Sequence, residues 1–371
     1  MTWLPLLLAD RSPCLRWLVL TELMGRDEND VEVQELAALR EQDPLVAPLL
    51  AVQEADGGWR HGDPAWQGGG WRITALALMR LGYLGFGPES VAVRRGAAHL
   101  FSLQREDGAW ALPGGDPEVA GGEGYTMVPL QTALPLRALA MCGYATDPRA
   151  ERAYEWLLEQ RLEDGAWPTG VAGAPRTARA PQTARAPQMA RGTYGRVAGY
   201  RKLPHSRWGC RSNTTGALLC LAHHPERRRG AEARRALDLL LGRETREAAT
   251  LGFEVARLVG AQPARGFLTF YGRFDLAQVL HLCSRVGATR DDPRVAELVD
   301  FVTELQGPYG LWDIESSQSS PVRGCSRWIT YDLLCTLSRL DAAGTGHRED
   351  DWMSLEPRTP FQSYPKVPRR Y

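Results

Sequence analysis

The stretch LFSLQREDGAW, from Leu100 to Trp110, decides the reading of this chain because it recurs. LLAVQEADGGW runs from Leu49 to Trp59, LLEQRLEDGAW from Leu157 to Trp167, and FVTELQGPYGLW from Phe301 to Trp312. Each copy carries a helical stretch into a glutamine, then an acidic or polar linker, then Gly-x-Trp. The tryptophans fall 51 and 57 residues apart, then 145 after a basic insertion and one degenerate copy. Self-similarity of this kind marks a repeat architecture, and the period suits two helices with their connections.

The segments before the glutamines read as amphipathic helices. PRAERAYEWLLEQ (Pro148 to Gln160) and PRVAELVDFVTELQ (Pro293 to Gln306) both open with proline at the first helical position, after an aspartate able to cap free amides. The Asp-Gly or Tyr-Gly step that follows supplies a turn in which positive φ is cheap. The tryptophan can bury its ring against the helix end and donate its indole N–H. The glutamine can tie the backbone of the turn. The unit is therefore a clasp between helix pairs, with no chemistry of its own.

More apolar helices alternate with these: Ser12 to Gly25, Trp71 to Tyr83, Tyr125 to Tyr144, Ser212 to His224, Phe270 to Gly287 and Ser326 to Asp341. Helices apolar nearly all round belong inside a layered structure, and amphipathic ones on its rim. The expected fold is all-α, an α/α toroid of about six inner and about five outer helices. It forms a single domain over residues 1–341, interrupted by the insertion at 171–208 and followed by a tail at 342–371.

The clasp resembles the QW motif of the squalene-hopene and oxidosqualene cyclases, whose toroid is shared with the β subunits of protein prenyltransferases. The resemblance spans roughly residues 12 to 341. It implies an apolar, isoprenoid-type ligand in a central cavity, and with it a non-canonical terpene cyclase or transferase. The strings that carry chemistry in that group are absent here: there is no D-x-D-D and no Asp-x-Cys, and the Asp291-Asp292 pair runs into PRV and reads as a helix cap. The alternative is a non-catalytic toroid that binds a ligand or a protein and has lost the acid and zinc sites. A carbohydrate-active barrel would need two cavity carboxylates at the separation glycoside chemistry demands.

Any site is expected at the first turns of the inner helices. That places Trp71, Arg72, Asn213, Tyr271 and Trp328 on the cavity wall, where an aromatic lining suits a polyprenyl chain or a carbocation. Asp275 and Asp332 are the candidate catalytic acids, since desolvation would raise a buried carboxyl and keep it protonated. The plainer reading pairs each with a neighbouring arginine on a helix surface. The helix dipole favours a histidine near a C-terminus, which explains His223 and His224 beside Cys220 without a metal. His281 and Cys283, two apart, lie on different helix faces, so neither a metal nor a cofactor is expected.

The balance of 44 basic against 44 acidic side chains in 371 residues gives no global nucleic-acid signature, and no nucleic-acid partner is expected. Seven scattered cysteines, mostly in the apolar helices, read as small buried hydrophobes of a reducing compartment. The WLPLLL run lacks a basic start and is no signal peptide, so the expected location is cytoplasmic. The insertion at 171–208 repeats TARAPQ in tandem and holds eight Lys or Arg residues and no acid. It reads as a flexible loop, either a tolerated expansion or a surface meeting anionic lipid at the membrane periphery. Oligomeric state is open.

Overall fold

The computed structural model describes residues 2–60, 70–110, 129–168, 209–242, 249–260, 274–313 and 326–344. Tyr271, the basic insertion and residues 345–371 of the tail lie outside them. In chain order the helices are α1 (Trp3–Leu8), α2 (Pro13–Leu18, prolonged by a π turn at Val19–Leu23), α3 (Val31–Leu39), α4 (Ala47–Ala51) and α5 (Gly70–Tyr83). They continue with α6 (Val91–Ser102), α7 (Pro129–Met141), α8 (Pro148–Glu159), α9 (Arg211–His223) and α10 (Ala231–Leu241). The last are α11 (Phe253–Leu258), α12 (Leu276–Val286), α13 (Pro293–Glu304) and α14 (Ser326–Gly344). Two short strands, β1 (Ala249–Thr250) and β2 (Phe274–Asp275), pair in parallel. Among the described residues no helix is long and apolar enough to cross a membrane.

The arrangement is the all-α toroid. Inner helices follow one another around the ring, α5 on α7, α7 on α9, α9 on α12, α12 on α14, and α14 on the π turn after α2. Trp17 and Leu18 close the circle against Gly85, just beyond α5. Outside them α3 packs on α2, α6 on α5, α8 on α7, α10 on α9 and α13 on α12. As the proline-aspartate signal requires, Asp147 caps α8 and Asp292 caps α13, each accepting a backbone N–H at 2.9 Å.

The clasps are equivalent in atomic detail. Trp59, Trp110, Trp167 and Trp312 are at most 2 % exposed. Each indole N–H donates to a carbonyl ten residues back, on Leu49, Leu100, Leu157 and Val302, at 2.7–2.8 Å. Each tryptophan backbone N–H donates to a threonine hydroxyl on the next inner helix, Thr74, Thr132, Thr214 and Thr330, at 2.9–3.2 Å. The turn glycines adopt positive φ, and a Cβ on Gly108 would stand 2.6 Å from the Arg152 carbonyl oxygen of α8. Gln53 and Gln104 reach both their own turn and the first residues of the next outer helix, donating to Ala92 and Arg149 carbonyls at 2.9 Å. Gln306 donates to the Gly310 carbonyl at 2.9 Å.

The third copy departs from the glutamine reading. Arg161, not Gln160, stands six residues before its tryptophan, and the buried Oε1 of Gln160 has no protein partner. The clasp therefore needs its tryptophan and threonine more than its glutamine. Two inner elements also differ from expectation. The helix read from Phe270 begins at Leu276, because Asp275 turns its carboxylate onto the Ala277 N–H and caps it. The short helix α11, which carries no complete clasp, sits within the ring against α5 and α14, and the Arg80 Nε–H holds its Leu258 carbonyl at 2.9 Å. Its five residues from Glu254 to Leu258 are all buried, so the axis is partly filled.

Replacing Trp110 with alanine should cost about 3–5 kcal/mol of unfolding free energy. Thr132→Val, which keeps the volume and strands the Trp110 N–H, should cost about 1–3 kcal/mol. Chemical denaturation checks both; unchanged stability in either variant would contradict the clasp.

Candidate functional site

Four of the six inner helices, α5, α7, α9 and α14, follow a clasp, and with α2, α11 and α12 they surround the interior of the ring. There they enclose a cavity of about 290 Å³. Trp17, Leu18, Tyr83, Met141 and Leu258 give it an apolar, aromatic side, from α2, α5, α7 and α11. Across the ring, His223 of α9 and Gln278, His281 and Arg285 of α12 supply a polar side. Tyr331, Asp332, Cys335 and Arg339 come from α14, and Glu22, which is exposed, marks where the cavity reaches the surface.

The polar wall holds atoms that the protein does not satisfy. The Arg285 Nε–H donates to His281 Nε2 at 3.0 Å, which places the proton of a neutral imidazole on Nδ1. That Nδ1, the Nε2 of His223 and the Nε2 of Gln278 are buried without a protein partner. Burial, and then the charges of Arg285 and other arginines nearby, hold both imidazoles well below the ordinary histidine range, so both are neutral at neutral pH. Buried polar atoms left open in this way call for a guest's hydrogen bonds.

The acids divide into three environments. Glu254 is buried between two guanidiniums, with Arg137 at 2.7 Å and Arg257 at 2.9 Å. Burial works to raise its carboxyl, and Arg257 and Arg137 outweigh that and keep it ionised. Asp332 is pushed up to about 6 by burial, against the pull of Arg339 and Arg285. Asp275 is also pushed up to about 6 by burial, offset in part by backbone amides.

Of the described residues singled out from sequence, Asp332 reaches this cavity and Trp71, Arg72, Asn213, Asp275 and Trp328 are not on its lining. The Asp275 carboxylate takes backbone N–H groups from Gly252 at 2.9 Å, Glu254 at 2.7 Å and Ala277 at 3.1 Å, fixing α11 and α12 together. Asn213 accepts the Leu130 N–H at 2.9 Å and ties α9 to α7. Trp328 lies behind the wall, its ring 5.9 Å from that of Tyr83 and 6.4 Å from that of Tyr331. Trp71 belongs to the apolar core. Arg72 is half-buried, and burial lowers its guanidinium to about 10. This cavity differs in kind from the apolar one expected at the first turns: it is amphipathic, and its lining runs from Gln278 near the start of α12 to Arg285 at its end.

Sequence reasoning passed over Arg137, Gln278, Arg285 and Arg339, and weighed His223 and His281 only as metal ligands. The signal was present: Gln278, His281 and Arg285 recur at three- and four-residue spacing on an otherwise apolar helix, as do Asp332, Cys335 and Arg339. Reading His223 and His224 alike missed their opposite fates. His224 is satisfied by Glu151 at 2.7 Å and by two backbone N–H groups, while His223 faces the cavity. Among the described residues no group of three or more His, Cys, Asp or Glu side chains is placed to hold a metal.

No protein-family model matches the sequence, and no curated protein matches it. Solved structures do show similarity. A protein from Actinoplanes is 18 % identical over 84 % of this chain and 100 % of its own, with a TM-score of 0.28. The type II terpene cyclase MstE from Scytonema is 14 % identical over 81 % of this chain and 97 % of its own, with a TM-score of 0.28. A substituted form of that cyclase, in complex with geranylgeranyl dihydroxybenzoate, is 15 % identical over 81 % and 95 %, with a TM-score of 0.29. Superposition at this level leaves the site to be read from the chain's own residues.

The two aspartates should respond differently. Asp275→Ala should lose about 2–4 kcal/mol near pH 4, because it strands backbone donors at two helix starts, and less above pH 6, since Asp275 too is raised to about 6. Asp332 is raised from 3.8 to about 6, so its favourable contribution is full below pH 4 and lost as pH rises through 6. Asp332→Asn should therefore gain up to about 3 kcal/mol relative to the parent above pH 6, with the gain vanishing near pH 4. Denaturant titrations at pH 4 and 8 test this; a difference for Asp332→Asn that is equal at both would refute the assignment.

Proposed function

We propose that this protein is a binding toroid for a small amphiphilic ligand of isoprenoid type. The unsatisfied donors and acceptors of His223, Gln278 and His281, facing an aromatic side across one cavity, carry the reading. A short prenyl chain would lie against Trp17, Tyr83, Met141 and Leu258, with its polar end on α9 and α12. A cavity of about 290 Å³ is at the small end of ligand pockets and suits a short chain better than a triterpene. The resemblance of the clasps to those of isoprenoid enzymes supports the ligand class.

Cyclisation through a carbocation is the weaker reading. The neutral imidazole of His223, with its Nε2 open, would intercept a cation, and an acid that ionises near pH 6 is a poor proton source for an alkene. What favours some turnover is Asp332 itself, a desolvated carboxyl in the same cavity as two neutral histidines, an acid and bases with displaced pKa values.

Titrating the protein with farnesol while following tryptophan fluorescence should show saturable binding. Tyr83→Ala and His281→Phe should each weaken it by about tenfold, a loss of roughly 1.4 kcal/mol. Absence of saturation, or affinity indifferent to both substitutions, would refute the binding reading. Mass spectrometry of the extracted mixture decides turnover: a new hydrocarbon or alcohol dependent on Asp332 would restore the enzyme.

A further inference from the structure

Beside the first cavity lies a second, of about 370 Å³, lined by Arg228, Arg229, Ser284, Arg285, Gly287, Arg339, Ala342 and Ala343. Arg285 and Arg339 form the wall common to both. Four guanidiniums thus converge on a space with no carboxylate on its lining.

Two arginines near this space are held by carboxylates. Next in sequence, Arg227 is held by Glu151 at 2.6 Å and 3.1 Å. Arg294 is shared between Asp238 and Asp292, each at 2.7 Å. Among the described residues the four cavity arginines have no carboxylate within ion-pair distance. Arg285 spends its Nε on His281. Arg339 has only the hydroxyls of Ser284 and Thr336, both at 3.4 Å. The buried Nε of Arg228 has no protein partner at all.

The cost of this crowding registers on Arg285. Burial, then the like charges of Arg339 and Arg228, lower its guanidinium to about 10, against the smaller pull of Asp332 and Glu22 from the first cavity. The end of α12 at Gly287 contributes some negative potential, but a helix terminus carries only about half a unit charge against four cations. The geometry needs a multivalent anion, and planar guanidinium forks suit tetrahedral oxyanions best.

We propose that the cavity formed by Arg228, Arg229, Arg285 and Arg339 is a binding site for a phosphate or diphosphate group. Arg229 is exposed and stands at the mouth, while Arg228, Arg285 and Arg339 are half-buried and form the interior. The site is independent of the isoprenoid reading, since it rests on charge and not on the apolar wall. The group can belong to a free phosphate or to a lipid headgroup, and both present the same oxygens to the arginines.

Isothermal titration of the full chain with sodium diphosphate, at low and at high chloride, tests the site. Saturable binding is expected, weakening as salt rises. Arg228→Gln and Arg339→Gln should each reduce affinity at least about tenfold. Because each also removes like-charge repulsion, both variants should melt no lower than the parent without ligand, whereas a merely structural role would lower them. Arg227→Gln, which breaks an ordinary ion pair outside the lining, should leave diphosphate affinity unchanged. Flotation with phosphatidic acid vesicles identifies the source: co-flotation lost in Arg228→Gln indicates a headgroup, and its absence beside diphosphate binding indicates a soluble phosphate. No saturable binding of diphosphate, or binding equal in the parent and in both cavity variants, overturns the proposal. Farnesol binding by the same preparations keeps this outcome separate from that of the first cavity.

Discussion

The backbone N–H of a tryptophan that ends one turn, donated to a buried threonine hydroxyl on the next inner helix, is the constraint on which this ring depends. With the indole bonded ten residues back, that tryptophan belongs at once to the outer helix behind it and the inner helix ahead. The four threonines are wholly buried, so each hydroxyl must find a donor, and the tryptophan amides are those donors. Glutamine adds a third strut where it is in register, and the third clasp stands without it.

That link sets four of the inner helices, α5, α7, α9 and α14, and around the cavity aromatic, imidazole and guanidinium groups meet from six helices, α2, α5, α7, α9, α12 and α14. Carbonyl-rich helix ends favour cations, which accounts for Arg285 in the last turn of α12. It does not account for four arginines around one space, which is why a bound anion is the better explanation of that surplus.

The interior balances its charges unevenly. Glu254 is matched by Arg137 and Arg257, and Asp275 by backbone amides, so both serve to hold α11 within the ring. Asp332 has no such bonded partner among the described residues and stays under strain of desolvation, with histidines kept neutral nearby. A buried ion cluster of the Glu254 kind is poor evidence for added stability, and its role here is to position a short helix that lacks a clasp.

Much of the ring was legible before any coordinate. Proline after aspartate at Asp147 and Asp292, positive-φ glycine before tryptophan, and the alternation of amphipathic with apolar helices are local signals, so the all-α toroid could be read directly. The site was legible only in part. Asp275 and Asp332 look alike in sequence, as do His223 and His224. What separates them is which neighbour in space reaches each side chain first: backbone amides of α11 for Asp275, Glu151 for His224, and an open cavity for the other two. A sequence states which residues share a helix face, because the helical repeat is local. Which faces meet across a ring depends on how six helices close, and that is set by packing between residues far apart in the chain.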